Sequence, residues 1–109
     1  MKPQLKKTIQ LHVSLSFDEK IVSDTKIISL EGDLVTLTTD ILAIDITPTI
    51  PKKDQVFMQF VVSKIQDENK IILSKPQMTS WIDQSATIML EDTKIFPQSI
   101  TLTVTPTYK

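Results

Sequence analysis

Apolar and polar residues alternate along most of this chain, and the alternation is cleanest near its start. From Thr8 to Phe17, Ile9, Leu11, Val13, Leu15 and Phe17 fall on one face. Gln10, His12, Ser14 and Ser16 fall on the other, which is the period-two signature of a strand with one buried side. The C-terminal stretch is as regular: Ile100, Leu102 and Val104 alternate with Thr101, Thr103 and Thr105, until Pro106 interrupts the ladder. Shorter strands are predicted between these two. Residues 26–30 and 34–39 flank Glu31-Gly32-Asp33, which reads as a tight hairpin with Gly32 at positive φ. Residues 55–64 and 70–74 flank Asp67-Glu68-Asn69, where Asn69 suits the left-handed position. Residues 86–90 make a seventh strand, and residues 41–46 another candidate, stopped by Pro48 and Pro51.

Helix is scarce in this pattern. Residues 75–85 begin with Pro76 behind Ser74, a possible cap, and either form two helical turns that bury Trp81 and Ile82 or an irregular loop. No internal repeat or linker divides the chain. The fold expected is therefore all-β, one domain over residues 1–109, a small antiparallel β-barrel or else a β-sandwich, with at most one short helix. Closure into a barrel has the merit of removing exposed strand edges.

Composition narrows the function classes. The chain has 109 residues, a formal charge of -1, no cysteine and a single glycine, Gly32. All of its twelve Lys+Arg positions are lysine, so no guanidinium is present to grip phosphate or guanine bidentately. One glycine cannot build a phosphate-cradling loop or a G-x-S-x-G elbow. Near-neutral charge argues against nucleic acid or an anionic membrane as the main partner. No apolar run approaches the roughly 20 residues of a membrane-spanning helix. MKPQLKKTIQ lacks the apolar stretch of a secretory leader. The cytoplasm is the expected compartment, with no cofactor.

The candidate chemistry is thin. His12, the one imidazole, sits on the polar face of its strand with no cysteine to share a metal. Asp18/Glu19, Glu31/Asp33, Asp67/Glu68 and Glu91/Asp92 stand beside turns, where they read as solubilising charges rather than a glycosidase pair. No metal site and no catalytic residue is expected, and the chain is read as non-enzymatic. Phe17, Phe57 or Phe60, and Phe96 read as core. Trp81 either plugs the end of the barrel or anchors a partner, and the large area an indole buries favours the plug. In residues 56–62, Val56, Met58, Phe60 and Val62 form one apolar row, with Phe57 and Val61 beside Gln59 on the other. Apolar residues on both faces mean a buried central strand or an outward contact patch. Phe57, Gln59, Val61 and Trp81 are therefore the candidate interaction residues.

Ile27-Ile28-Ser29-Leu30-Glu31-Gly32, with the apolar run 33–39 behind it, resembles the second signature of PilZ domains, D/N-x-S-x-x-G. Residues 50–60 are similar to the segment carrying that family's next outer strand. The first signature, R-x-x-x-R, aligns with Lys2-Pro3-Gln4-Leu5-Lys6, so the resemblance covers residues 2–75. It implies a small β-barrel and a residual ligand site at Lys2, Lys6, Ser29 and Gly32. It also implies a bacterial signalling context linked to membrane or motility systems. Ordinary members clamp cyclic di-GMP with the two arginines. Lysine in their place keeps point charge but loses bidentate reading of guanine, and Ile27 replaces the acidic or amide residue. The expectation is a degenerate member that binds cyclic di-GMP very weakly or not at all and regulates through protein contacts. The alternative is a structural β-sandwich subunit of a phage or surface appendage, whose strand 100–104 adds to a neighbour's sheet.

Overall fold

The computed structural model describes residues 7–91 and 98–109. Those residues form nine antiparallel strands and no helix. In chain order they are β1 (Thr8–Phe17), β2 (Lys20–Leu30), β3 (Val35–Thr38), β4 (Leu42–Lys52) and β5 (Gln55–Gln66). They continue as β6 (Asn69–Ser74), β7 (Gln77–Trp81), β8 (Ala86–Leu90) and β9 (Ile100–Tyr108). Sheet A has the order β2-β1-β9-β8, and sheet B the order β3-β4-β5-β6, with β7 pairing the other stretch of β5. The all-β, antiparallel expectation holds. The two sheets do not join into a barrel, and their inner rows face one another as in a sandwich.

The alternating rows build the core. Ile9, Leu11, Val13 and Leu15 of β1 are wholly buried, as are Val56 and Met58 of β5. Phe60 and Val62 continue the β5 row at 1% exposure, and Leu42, Ile44, Ile46, Leu102 and Val104 line the central strands β4 and β9. Each fully buried side chain of this size contributes about 1.5–3 kcal/mol over its exposed state.

Several local expectations are corrected. Glu31-Gly32-Asp33 is a crossover, because β2 belongs to sheet A and β3 to sheet B. Asn69 opens β6, and the left-handed positions are Asp67 (φ 51) and Glu68 (φ 67). Asp18 (φ 47) and Glu19 (φ 71) do the same between β1 and β2. Positive φ at both loop residues is the type I′ requirement, so the acid pairs are the turns themselves. The candidate helix is strand β7. Neither Pro48 nor Pro106 ends its strand. Gly32 N–H donates to the Pro48 carbonyl at 2.6 Å, and Asp83 N–H to the Pro106 carbonyl at 2.7 Å. In an antiparallel strand a residue's N and C=O point the same way. Each proline thus turns its missing donor toward a crossover, away from the strand it pairs with. The strand 100–104 cannot add to a neighbour's sheet, since β9 lies between β1 and β8.

Against the expectation of no internal repeat, the two halves of the fold are equivalent in strand order and register. Replacing β1, β2, β3 and β4 by β5, β6–β7, β8 and β9 converts the order of sheet A into that of sheet B. The registers follow: Ile9↔Ser29 matches Val56↔Ser80, Leu15↔Ser23 matches Val62↔Ser74, and Pro48↔Met58 matches Pro106↔Leu11. Both crossovers are pinned alike. The buried Ser29 hydroxyl reaches the Leu30 and Asp33 carbonyls at 3.0 and 3.3 Å, and that of Ser80 the Trp81 and Gln84 carbonyls at 3.3 and 2.7 Å. Gly32 at φ 84 answers to Asp83 at φ 67. Thr47-Pro48-Thr49 and Thr105-Pro106-Thr107 are the plainest trace of this in the sequence.

Candidate functional site

The matching registers of the two halves make the outer faces of the sheets directly comparable. On sheet B, β5 turns Phe57, Gln59 and Val61 outward, because the intervening residues fill the core. Thr79 pairs with Phe57 and Trp81 with Gln55, so β7 brings Trp81 diagonally beside Phe57 on the same face. Trp81 is 49% exposed and plugs nothing. Phe57 and Val61 are half-buried and Gln59 is exposed. The four candidate interaction residues thus share one surface. A shallow groove of about 260 Å³ runs along it, lined by Leu34, Asp45, Thr47, Gln59, Val61, Lys75 and Gln77. Asp45 is held in place by the Thr36 hydroxyl, which donates at 2.7 Å.

Along its central strands the equivalent face of sheet A is polar, and its exposed apolar side chains, Ile28, Leu30 and Met89, stand on the edge strands. Gln10, His12 and Ser14 occupy the places of Phe57, Gln59 and Val61, while Thr103 and Thr105 take those of Asp45 and Thr47. His12 hydrogen-bonds the Asp24 carboxylate on this face, and both side chains are about half exposed, at 44% and 54%. The Thr87 and Thr103 hydroxyls pair at 3.2 Å, and those of Ser85 and Thr105 at 2.6 Å.

The residual ligand site is only partly in view. Lys2 and Lys6 lie outside the described residues, as does Phe96. Ser29 and Gly32 are together in the first crossover, next to Lys7, whose carbonyl accepts the Glu31 amide at 2.9 Å. Ser29 is 6% exposed and its hydroxyl is engaged with backbone carbonyls. Ile27 packs against the core. Nearby, Lys7 Nζ lies 5.0 Å from the centre of the Tyr108 ring, and the Tyr108 hydroxyl accepts the Asp54 amide at 3.2 Å. Tyr108 therefore ties the ends of the two halves together.

Among the described residues no three His, Cys, Asp or Glu side chains gather as a metal site. No helix there is long and apolar enough to cross a membrane. A second opening of about 210 Å³ lies between β6 and β8, with Leu73, Met89, Leu90 and Ile100 in its lining. The face of sheet B differs from it in presenting an exposed indole and a phenyl ring on one rigid sheet. No protein-family profile, curated protein or solved structure matches this chain.

Proposed function

We propose that this protein is a non-catalytic interaction module of regulatory type that engages another protein through the outer face of sheet B. One observation carries the reading: the halves keep the same core rows and crossover pins, yet diverge on the outside. Folding requires nothing aromatic at these positions, because the equivalent places on sheet A hold Gln10 and Ser14. A half-exposed Trp beside a Phe, rimmed by Gln59, Gln77 and Lys75, has the composition of an interface centre with a polar border. The S-x-x-G segment supports a protein-directed role over a nucleotide-directed one. The same hydroxyl-pinned turn occurs at Ser80, so it serves the crossover in both halves.

The test is a transplant of one face onto the other. Phe57→Gln, Val61→Ser and Trp81→Leu install the residues that sheet A carries at these places. Affinity purification from the native cell, wild type against the triple variant, is expected to show a partner that the variant loses while its circular dichroism is unchanged. Equal retention by both proteins sinks the proposal. Calorimetric titration with cyclic di-GMP is expected to return no saturable heat, and low-micromolar binding would favour the nucleotide reading instead.

A further inference from the structure

Among the described residues, β2 and the combined β6–β7 strand occupy equivalent edges of the two sheets, but only one of them is interrupted. The β6–β7 edge is broken at Lys75-Pro76, while its register shift between Val62 and Ser63 has a counterpart between Leu15 and Ser16 on the β2 side. A proline within an edge strand is a usual protection against edge-to-edge pairing. β2 runs for 11 residues with no proline, and its one irregularity falls at Val22, which leaves a regular ladder from Ser23 to Leu30. The Glu31 amide bonds the Lys7 carbonyl, which fixes the parity of the ladder. Ser23, Thr25, Ile27 and Ser29 direct their backbone groups to β1, so those of Asp24, Lys26 and Ile28 point away from the sheet.

We propose that the chain forms a two-fold dimer in which β2 pairs antiparallel with β2 of a second copy, centred on Thr25. Charge selects this register. Centring on Asp24 or on Lys26 sets like charges directly opposite, which destabilises a strand pair. Centring on Thr25 sets Asp24 of each copy opposite Lys26 of the other, twice by symmetry. A lone central lysine would repel every two-fold pairing close to it, whereas the Asp24–Lys26 spacing permits one. The same register sets Ser23 of each copy opposite Ile27 of the other, within the regular stretch of the strand. It also places Val22, 44% exposed, opposite Ile28, 56% exposed, and so covers apolar side chains that sheet A otherwise leaves in water. His12 hydrogen-bonds the Asp24 carboxylate on the outer face. Just beyond the ladder Glu19 comes near Glu31 of the second copy, a solvent-exposed repulsion at the rim that Glu19→Lys would relieve.

Sedimentation equilibrium of the full chain tests this independently of the sheet B face. The wild type is expected to reach twice the 12.4 kDa chain mass with rising concentration. Lys26→Asp, which opposes acids at both symmetric contacts, is expected to weaken dimerisation about tenfold or more. The double exchange Asp24→Lys with Lys26→Asp is expected to restore it. Ile28→Pro removes an outward N–H without touching the β1 ladder and is expected to leave a folded monomer. A wild-type chain still monomeric at about 1 mM overturns the inference, since even millimolar affinity would show there. A dimer indifferent to Lys26→Asp and Ile28→Pro overturns it equally, and one abolished instead by the Trp81→Leu face variant would assign the contact to sheet B.

Discussion

The outer faces of sheets A and B share one backbone plan and differ most along their central strands. Sheet A presents His12, Ser14, Thr103 and Thr105, whereas sheet B presents Phe57, Val61, Trp81 and a groove floored by β4 and β5. Beneath them the inner rows match position for position, Leu11 with Met58, Val13 with Phe60, Ile46 with Val104. The contrast separates two kinds of constraint. Inner positions answer to close packing, where volume can be traded across the core but polarity cannot. Outer positions answer only to solubility and partners, so a departure there is informative in a way that a core hydrophobe is not.

The comparison can be broken first in the core. Phe60 and Val13 are structural equivalents of unequal size, so Phe60→Ala is expected to cost about 3–5 kcal/mol and Val13→Ala about 2, read from urea unfolding. Equal costs would show that the halves do not contribute through cavity size as the burial implies. The crossover pins come next. Ser80→Ala and Ser29→Ala each remove a buried hydroxyl that bonds carbonyls, and each is expected to cost about 1–2 kcal/mol. Ser80 should be the larger, its contact to Gln84 being 2.7 Å against 3.3 Å for Ser29 to Asp33. The smallest and sharpest pair is the left-handed residue of each crossover. A Cβ on Gly32 would meet nothing within 4 Å, so Gly32→Ala should lose only the backbone term, about 1 kcal/mol. Asp83→Gly is expected to gain a comparable or smaller amount, and opposite signs in thermal melts are the diagnostic.

Legibility in the sequence followed the range of the interaction responsible. β1 was readable because its five inward residues declare themselves without reference to any partner. The parity that turns Phe57, Gln59 and Val61 outward was readable on the same terms. Trp81 joining them was not, because it depends on β7 pairing with the first stretch of β5. The residues around Gly32 show the same limit. A positive φ was expected there and is present at 84°. Whether that turn returned the chain to its own sheet or carried it to the other depended on Lys7 and Pro48, which supply the carbonyls. The equivalence of the halves hid because packing tolerates Leu11 for Met58 and Val13 for Phe60, leaving Thr-Pro-Thr and the Asp-Glu turns as sparse marks.

Alternation of side chains is a property of neighbouring residues, so the chain alone determined that it would be antiparallel β with a specified inward row on β1, β5 and β9. Which strands lie at edges, which prolines are tolerated and which aromatic rings meet on one face depend on contacts between residues far apart in sequence. Those contacts are selected jointly by how the two layers close over the core, and no local pattern encodes them. The open β2 edge and the aromatic face of sheet B belong to this second kind.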